Sequence, residues 1–377
     1  MSDQERNPQE RVCTPGRHAD GSTGGRTGER TDDRPDSRTG GRFTQGLSDG
    51  VRPTAGEDGG IVEVLEPRDV PLGGPRAMTV RRSLPQRARS LVGAWCFVDY
   101  YGPDDVSRTG GMDVPRHPHT GLATVSWLFE GRIDHVDSAG HQALVRPGEV
   151  HLMNAGTGIT HSEYSTEDTS VLHGAQLWYA LPEAHRFSIP DLHSHRPEPV
   201  TGEGWTARAF LGELLGRRSP VPTFIPLTGA EVRMDPGAEL VLDVPADHEH
   251  GVLAAGGTVH LQGVPIRSAH FGVVEPGSTR LTLRAGDEPV IALVLGGLPL
   301  GEQIVMWWNF VGRSHEEIVA WRAAYQRQMG FAAQAPDPGQ APAADGGVVP
   351  RFGPFPPDPK PPIPAPTLPN TRMKPRG

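Results

Sequence analysis

Two short motifs carry most of the chemistry that this sequence could perform. His117-Pro118-His119 puts two imidazoles at i and i+2. On an extended strand such residues point to the same face, roughly 7 Å apart along the backbone. His161-Ser162-Glu163 repeats the spacing with an imidazole and a carboxylate, just after the glycine-rich turn Ala155-Gly156-Thr157-Gly158. If the two strands face each other inside one barrel, the four donors converge and can hold one divalent transition metal. A single His-x-His is a weak signal. Two such pairs in one small β-domain are stronger, because three histidines and a glutamate pointing inward would otherwise bury charge without a partner.

The surrounding sequence supplies the strands. Between about residues 61 and 331, short apolar or alternating runs are separated by glycine, proline and aspartate, which is strand chemistry. In residues 124–129, Val125, Trp127 and Phe129 share one face while Thr124, Ser126 and Leu128 share the other. Further strands are expected at residues 132–136, 143–146, 150–153 and 172–179, with turns at Ser138-Ala139-Gly140 and Pro147-Gly148. A second set is expected at 210–215, 223–227, 238–244, 251–255, 258–261, 271–274, 279–283 and 290–295. Many short strands at this spacing predict an all-β protein of two similar sandwich or barrel units in tandem. One segment reads as helix. Ser314-His315-Glu316-Glu317 resembles an N-cap with acids in the first turn, followed by Ile318, Trp321, Ala324 and Tyr325 at helical spacing. It should close a barrel over about residues 314–329.

Composition bounds the rest. The chain has 377 residues with 48 glycines and 39 prolines but only 36% apolar residues, so part of it should not pack. Residues 1–60 hold almost no large apolar side chain and are expected to be a disordered arm. Residues 332–377 become proline-rich, as in Pro354, Pro356, Pro357, Pro361 and Pro362, and are expected to be a disordered tail. Asp32, Asp33 and Asp36 among the arginines argue against an organelle transit peptide, and there is no secretory or membrane-spanning apolar run. A cytoplasmic protein follows. A net charge of −9 argues against a nucleic-acid-binding surface. Two cysteines, Cys13 and Cys96, cannot build a disulfide framework or a cysteine-rich zinc site, and Cys96 reads as a buried hydrophobe.

Several stretches together resemble the pirin family of the cupin superfamily. They are HPHTGLATVSWLFEGRIDHVDS, VRPGEVHLMNAGTGITHSE and HGAQLWYALP, with LVGAWCFVDYYGP before them and GGLPLGEQIVMWWNFVGRSHEEI near the end. The resemblance covers about residues 61–329 and neither tail. It implies two tandem cupin barrels over residues 61–190 and 191–331, with a metal in the first only. The implied ligands are the histidines of HPH and the histidine and glutamate of HSE, which fall on His117, His119, His161 and Glu163. Generic cupins take a carboxylate a few residues after HxH, where this chain has Ala123, so Glu163 is the one well-placed carboxylate. His151 stands where generic cupins place a third histidine, but the pirin pattern favours His161.

Three imidazoles and a carboxylate suit Fe(II), and could also accept Mn, Co, Ni or Cu. The resemblance implies a quercetin 2,3-dioxygenase-like activity on a flavonol or a related enol or aromatic compound, with dioxygen as co-substrate and Glu163 accepting the hydroxyl proton. It also allows a non-catalytic metal or redox sensor, and a monomer that contacts a protein partner. The other histidines and aromatic residues are expected to play lesser parts. His135 and His141 read as exposed hairpin residues, and His248 and His250 as structural. His173 could line the pocket or support a ligand. Trp178, Tyr179, Trp307 and Trp308 read as packing residues, and Trp127 stays open between packing and the metal side.

Overall fold

In the computed structural model, residues 51–56, 60–72, 78–331 and 351–377 are described. Cys13 and the expected arm as far as residue 50 lie outside the described residues, as do tail residues 332–350. Alternating and apolar runs become antiparallel strands, and these form two β-units, each a large sheet facing a smaller one. In the first unit a seven-stranded sheet has Val171–Ala180 between Trp95–Asp105 and Leu122–Glu130. Its smaller sheet runs Asp113–His119, Ile159–Ser165, Ile133–Asp137, Gln142–Val145. In the second unit an eight-stranded sheet is centred on Val290–Gly297, and a four-stranded sheet runs Glu239–Asp243, Arg280–Ala285, Val259–Leu261, Val264–Ile266. The expected all-β tandem is the fold.

The two large sheets meet across one apolar core, in which Trp127, Val125 and Tyr179 of the first unit cluster with Phe210, Leu253, Phe271 and Leu295 of the second. Trp127 stacks on Phe210 with centroids 4.5 Å apart, and its Nε1 donates to the buried Glu231 at 2.7 Å. Such an aromatic pair contributes about 1 kcal/mol beyond the area it buries. Trp127 is therefore packing between the barrels and not part of the metal side.

Strand boundaries differ from expectation at several places, among them the strand Trp205–Leu211 where residues 210–215 were expected. Residues 223–226 are not a strand; pairing begins at Leu227 and runs to Met234. Pro222 and Pro226 lack the N–H a ladder requires, and Glu231 and Arg233 made the true strand look like a polar loop. Val51–Ala55, inside the expected disordered arm, pairs with Ile61–Leu65. Ile61–Leu65 in turn pairs with Phe271–Val274 of the second unit, although it falls in the stretch expected to build the first barrel. This caps an edge that would otherwise expose unpaired backbone.

The helix His315–Gln328 forms as expected, with the Ser314 side chain accepting from Glu317 N. Its buried face of Ile318, Trp321 and Tyr325 packs on Phe310 and Trp308. Residues 351–377 contain no helix or strand, in keeping with their prolines, yet they are not the free tail that was expected. Phe352 is fully buried against Phe310 and Tyr325. Thr160 Oγ1 donates to Phe352 O at 2.8 Å, Tyr164 to Asp358 at 2.7 Å, and Ile363 N to Arg116 O at 2.8 Å. Isolated apolar residues among the prolines supply the anchors that a composition count overlooks. Among the described residues, no helix is long and apolar enough to cross a membrane.

Because Phe352 fills a closed aromatic cluster, Phe352→Ala should destabilise the fold by about 3 kcal/mol. Urea unfolding should show an earlier midpoint, and an unchanged midpoint would mean that the tail does not pack.

Candidate metal centre

The strands Asp113–His119 and Ile159–Ser165 lie side by side, in a register that pairs His161 with His117 and Ile159 with His119. A bulge between His161 and Glu163 shifts the pairing so that Glu163 stands opposite Val114, an extra residue that re-aims a side chain. Two glycines fix the turns that follow and precede these strands. Gly121 has φ +68°, and a Cβ there would come within 2.1 Å of Val311 O. Gly156 has φ +45°, and a Cβ there would meet Ser188 O at 2.0 Å. Alanine at either position would push the turn away and carry a ligand strand with it.

Three of the four expected donors group together, and Glu163 groups with a different pair. Ring nitrogens of His117, His119 and His161 lie within 4.8 Å of one another, and their ring centroids are 4.3 to 5.0 Å apart. Glu163 lines the same cavity as His117 and His119, but its oxygen lies within 4.8 Å of donor atoms of His161 and His135 rather than grouping with the first two histidines. The four donor atoms do not all lie within 4.8 Å of one another. The buried atoms His119 Nδ1 and His161 Nε2 have no hydrogen-bond partner. An imidazole buried with a bare nitrogen costs free energy unless something ligates it, so the donor set fits a borderline metal ion.

Electrostatics point the same way. Burial holds His117 down at about 3 and pushes His119 and His161 well below the usual histidine value, so the rings are neutral lone-pair donors. Burial raises the Glu163 carboxyl, and a cation beside it would oppose that shift.

The histidines outside the two motifs divide differently from expectation. His135 is not an exposed hairpin residue. It is 1% exposed, opposite Glu163 on the neighbouring strand, with Nδ1 3.3 Å from His161 Nδ1. The alternation of Ile133–Asp137 turns His135 inward, a signal that the short segment carried but the adjacent turn obscured. His141 is partly exposed and hydrogen-bonds Asp137 at 3.0 Å. His151 is buried against His135, with Nδ1 3.1 Å from Ser194 Oγ. His173 lies away from the cavity, bonding Tyr100 Oη at 3.0 Å. His248 and His250 have their own ring contact, and His250 Nε2 bonds Pro245 O at 3.1 Å.

The opposite wall comes from the large sheet, and it holds residues that the sequence reading passed over. Phe97, Asp99 and Tyr101 follow one another at i, i+2 on one strand, as do Gln176 and Trp178 on the next, and all five line the cavity. Trp178 was expected to be packing, yet it stands edge-on to His119 at 5.0 Å and stacks on Phe97 at 3.9 Å. Tyr101 Oη and Trp178 Nε1 are buried donors without partners. Asp99 is held by Arg82 through hydrogen bonds of 2.7 and 2.8 Å. Period-two spacing alone would have found this wall. Cys96, on the opposite face of that strand, is buried with its thiol pushed up to about 12 by burial, the inert hydrophobe expected.

Two family models match the chain, Pirin over residues 77–179 and the Pirin C-terminal cupin domain over residues 229–331. The chain belongs to the pirin family. Among curated proteins similar to this pirin-family chain is one of Pseudomonas aeruginosa named "Putative quercetin 2,3-dioxygenase", 38% identical over 272 residues, covering 71% of this chain and 84% of that one. A pirin-like protein of Caulobacter vibrioides is 36% identical over 250 residues, covering 63% of this chain and 85% of that one. The crystal structure of a quercetin 2,3-dioxygenase from Acinetobacter baumannii superposes with a TM-score of 0.74 at 29% identity, covering 83% of this pirin-family chain and 97% of that one.

Four neutral buried histidines set an acid limit on the metal-free protein. Their folded values, about 3 for His117 and His151, lie below the unfolded value near 6.5, so the unfolded chain binds the protons first. This stability is complete above about pH 6.5 and is lost as the pH falls towards 3. Melting in a chelating buffer should show a Tm that declines across that window. A Tm flat from pH 7 to 4 would mean that the rings are solvated.

Proposed function

We propose that the chain is a metal-dependent dioxygenase of quercetin 2,3-dioxygenase type, acting on a flavonol or a related enol or aromatic compound. Fe(II) would be held by His117, His119, His161 and Glu163. The observation that carries this reading is the cluster of buried, neutral imidazoles in which His119 Nδ1 and His161 Nε2 are bare, beside a cavity lined by His117, His119 and Glu163. The similarity to proteins named as quercetin dioxygenases supports the substrate class. When bound, the metal supplies Lewis acidity towards the oxygens of an enol and redox access to dioxygen.

The chain's own residues would do the rest. Glu163 would take the substrate's hydroxyl proton at a carboxylate oxygen. Trp178, backed by its stack on Phe97, would present an apolar surface to an aromatic ring. Tyr101 Oη and Trp178 Nε1 are free to donate to substrate oxygens. Leu72, Val80, Met112 and Val114 line the apolar part of the cavity and would exclude water from the reacting atoms.

The size of the cavity matters to the choice. Its free volume is about 20 Å³, room for roughly one water, whereas drug-sized ligands occupy sites of about 300 Å³ or more. A flavonol would therefore enter only if the cavity widens. The same tightness favours the second reading, a metal or redox sensor that binds a protein partner and turns over no organic substrate.

Oxygen uptake separates the two. Iron-loaded protein should consume oxygen with quercetin or a related enol, and Glu163→Ala should lower that rate about 100-fold or more. Absence of turnover with a panel of flavonols and enols, in protein that does contain iron, would leave the sensor reading in its place.

A further inference from the structure

We infer that His135 is a positioning residue for the metal centre, fixing the ring of His161 so that His161 Nε2 is the atom presented to the metal. The inference rests on the reading of His161 as a ligand. Three buried groups stand in a row. His161 Nδ1 is 3.3 Å from His135 Nδ1, and His135 Nε2 is 3.4 Å from Asp137 Oδ2. His161 and Asp137 are fully buried and His135 is 1% exposed.

The proton count allows one arrangement that uses every contact. With the lone pair of His161 Nε2 reserved for a metal, the ring proton sits on Nδ1 and is donated to His135 Nδ1. His135 then carries its own proton on Nε2 and donates it to the Asp137 carboxylate. That carboxylate is itself held, because its Oδ1 accepts from Ala139 N at 2.9 Å and His141 N at 3.0 Å, and His141 Nδ1 lies 3.0 Å from Oδ2. Negative charge at the far end of such a row raises the basicity of the ligating nitrogen and locks the ring plane.

His135 could instead be a ligand, since its nitrogen falls within 4.8 Å of His161 and Glu163 donors. The distribution of bare atoms argues otherwise. Both ring nitrogens of His135 face a partner, whereas His161 Nε2 and His119 Nδ1 have none. His151 packs its ring edge-on to His135 at 4.7 Å and keeps it from swinging out of the row.

The test is titration of metal-free full-length protein with Co(II), followed by visible absorption, and of the Cu(II) form by electron paramagnetic resonance. Wild type should bind one ion per chain. His135→Leu should weaken binding roughly 10- to 100-fold and shift the ligand-field bands while keeping the number of coordinated nitrogens. His135→Asn can place its side-chain oxygen where Nδ1 stood and should recover most of that loss. Asp137→Asn, which reaches no metal, should shift the bands in the same direction. Melting curves of the metal-free variants check that each is folded. Unchanged affinity and spectra in both His135→Leu and Asp137→Asn would overturn the inference, and so would loss of one coordinated nitrogen in His135→Leu, which would make His135 a ligand. If wild type binds no ion, or His161→Ala binds as well as wild type, it is the reading of His161 as a ligand that fails.

Discussion

The site depends on one constraint, the burial of neutral imidazoles with nitrogen lone pairs that no protein donor satisfies. A barrel interior would ordinarily be lined with apolar side chains, and each bare ring nitrogen costs free energy there. His119 and His161 accept that cost together, at the one place where two antiparallel strands pair in a register that brings His117 opposite His161. The cost is intelligible if a cation completes the cluster.

Much of the remaining architecture holds those two strands still. On their outer side, residues of the proline-rich tail bond to Thr160, Tyr164 and Arg116. At their ends, Gly121 and Gly156 make turns that leave no room for a side chain. Across the cavity, the large sheet supplies Phe97 and Trp178 as a packed wall, and it is backed in turn by the second barrel through Trp127, Phe210 and Glu231. The second barrel thus contributes to the site by stiffening the sheet behind it.

The all-β tandem and the grouping of His117, His119 and His161 were legible in the sequence because period-two spacing and i, i+2 donor pairs survive as local patterns. What escaped was non-local. Glu231 and Arg233 concealed a central strand, since the partner that makes a buried glutamate tolerable, Trp127, lies about a hundred positions away in the chain. His135 looked like a hairpin residue because the adjacent turn obscured the short alternation of Ile133–Asp137 that turns it inward. The tail looked disordered on composition, while its order comes from single anchors such as Phe352 that fill a cluster built elsewhere.

X-ray absorption at the edge of the bound metal tests the central claim most directly, because it reads the coordination shell itself. The account requires three imidazole nitrogens and one carboxylate oxygen at about 2.0–2.2 Å, distances usual for such ligands on a transition metal. A shell dominated by water, or one unchanged when His117 and His161 are both replaced, would contradict it.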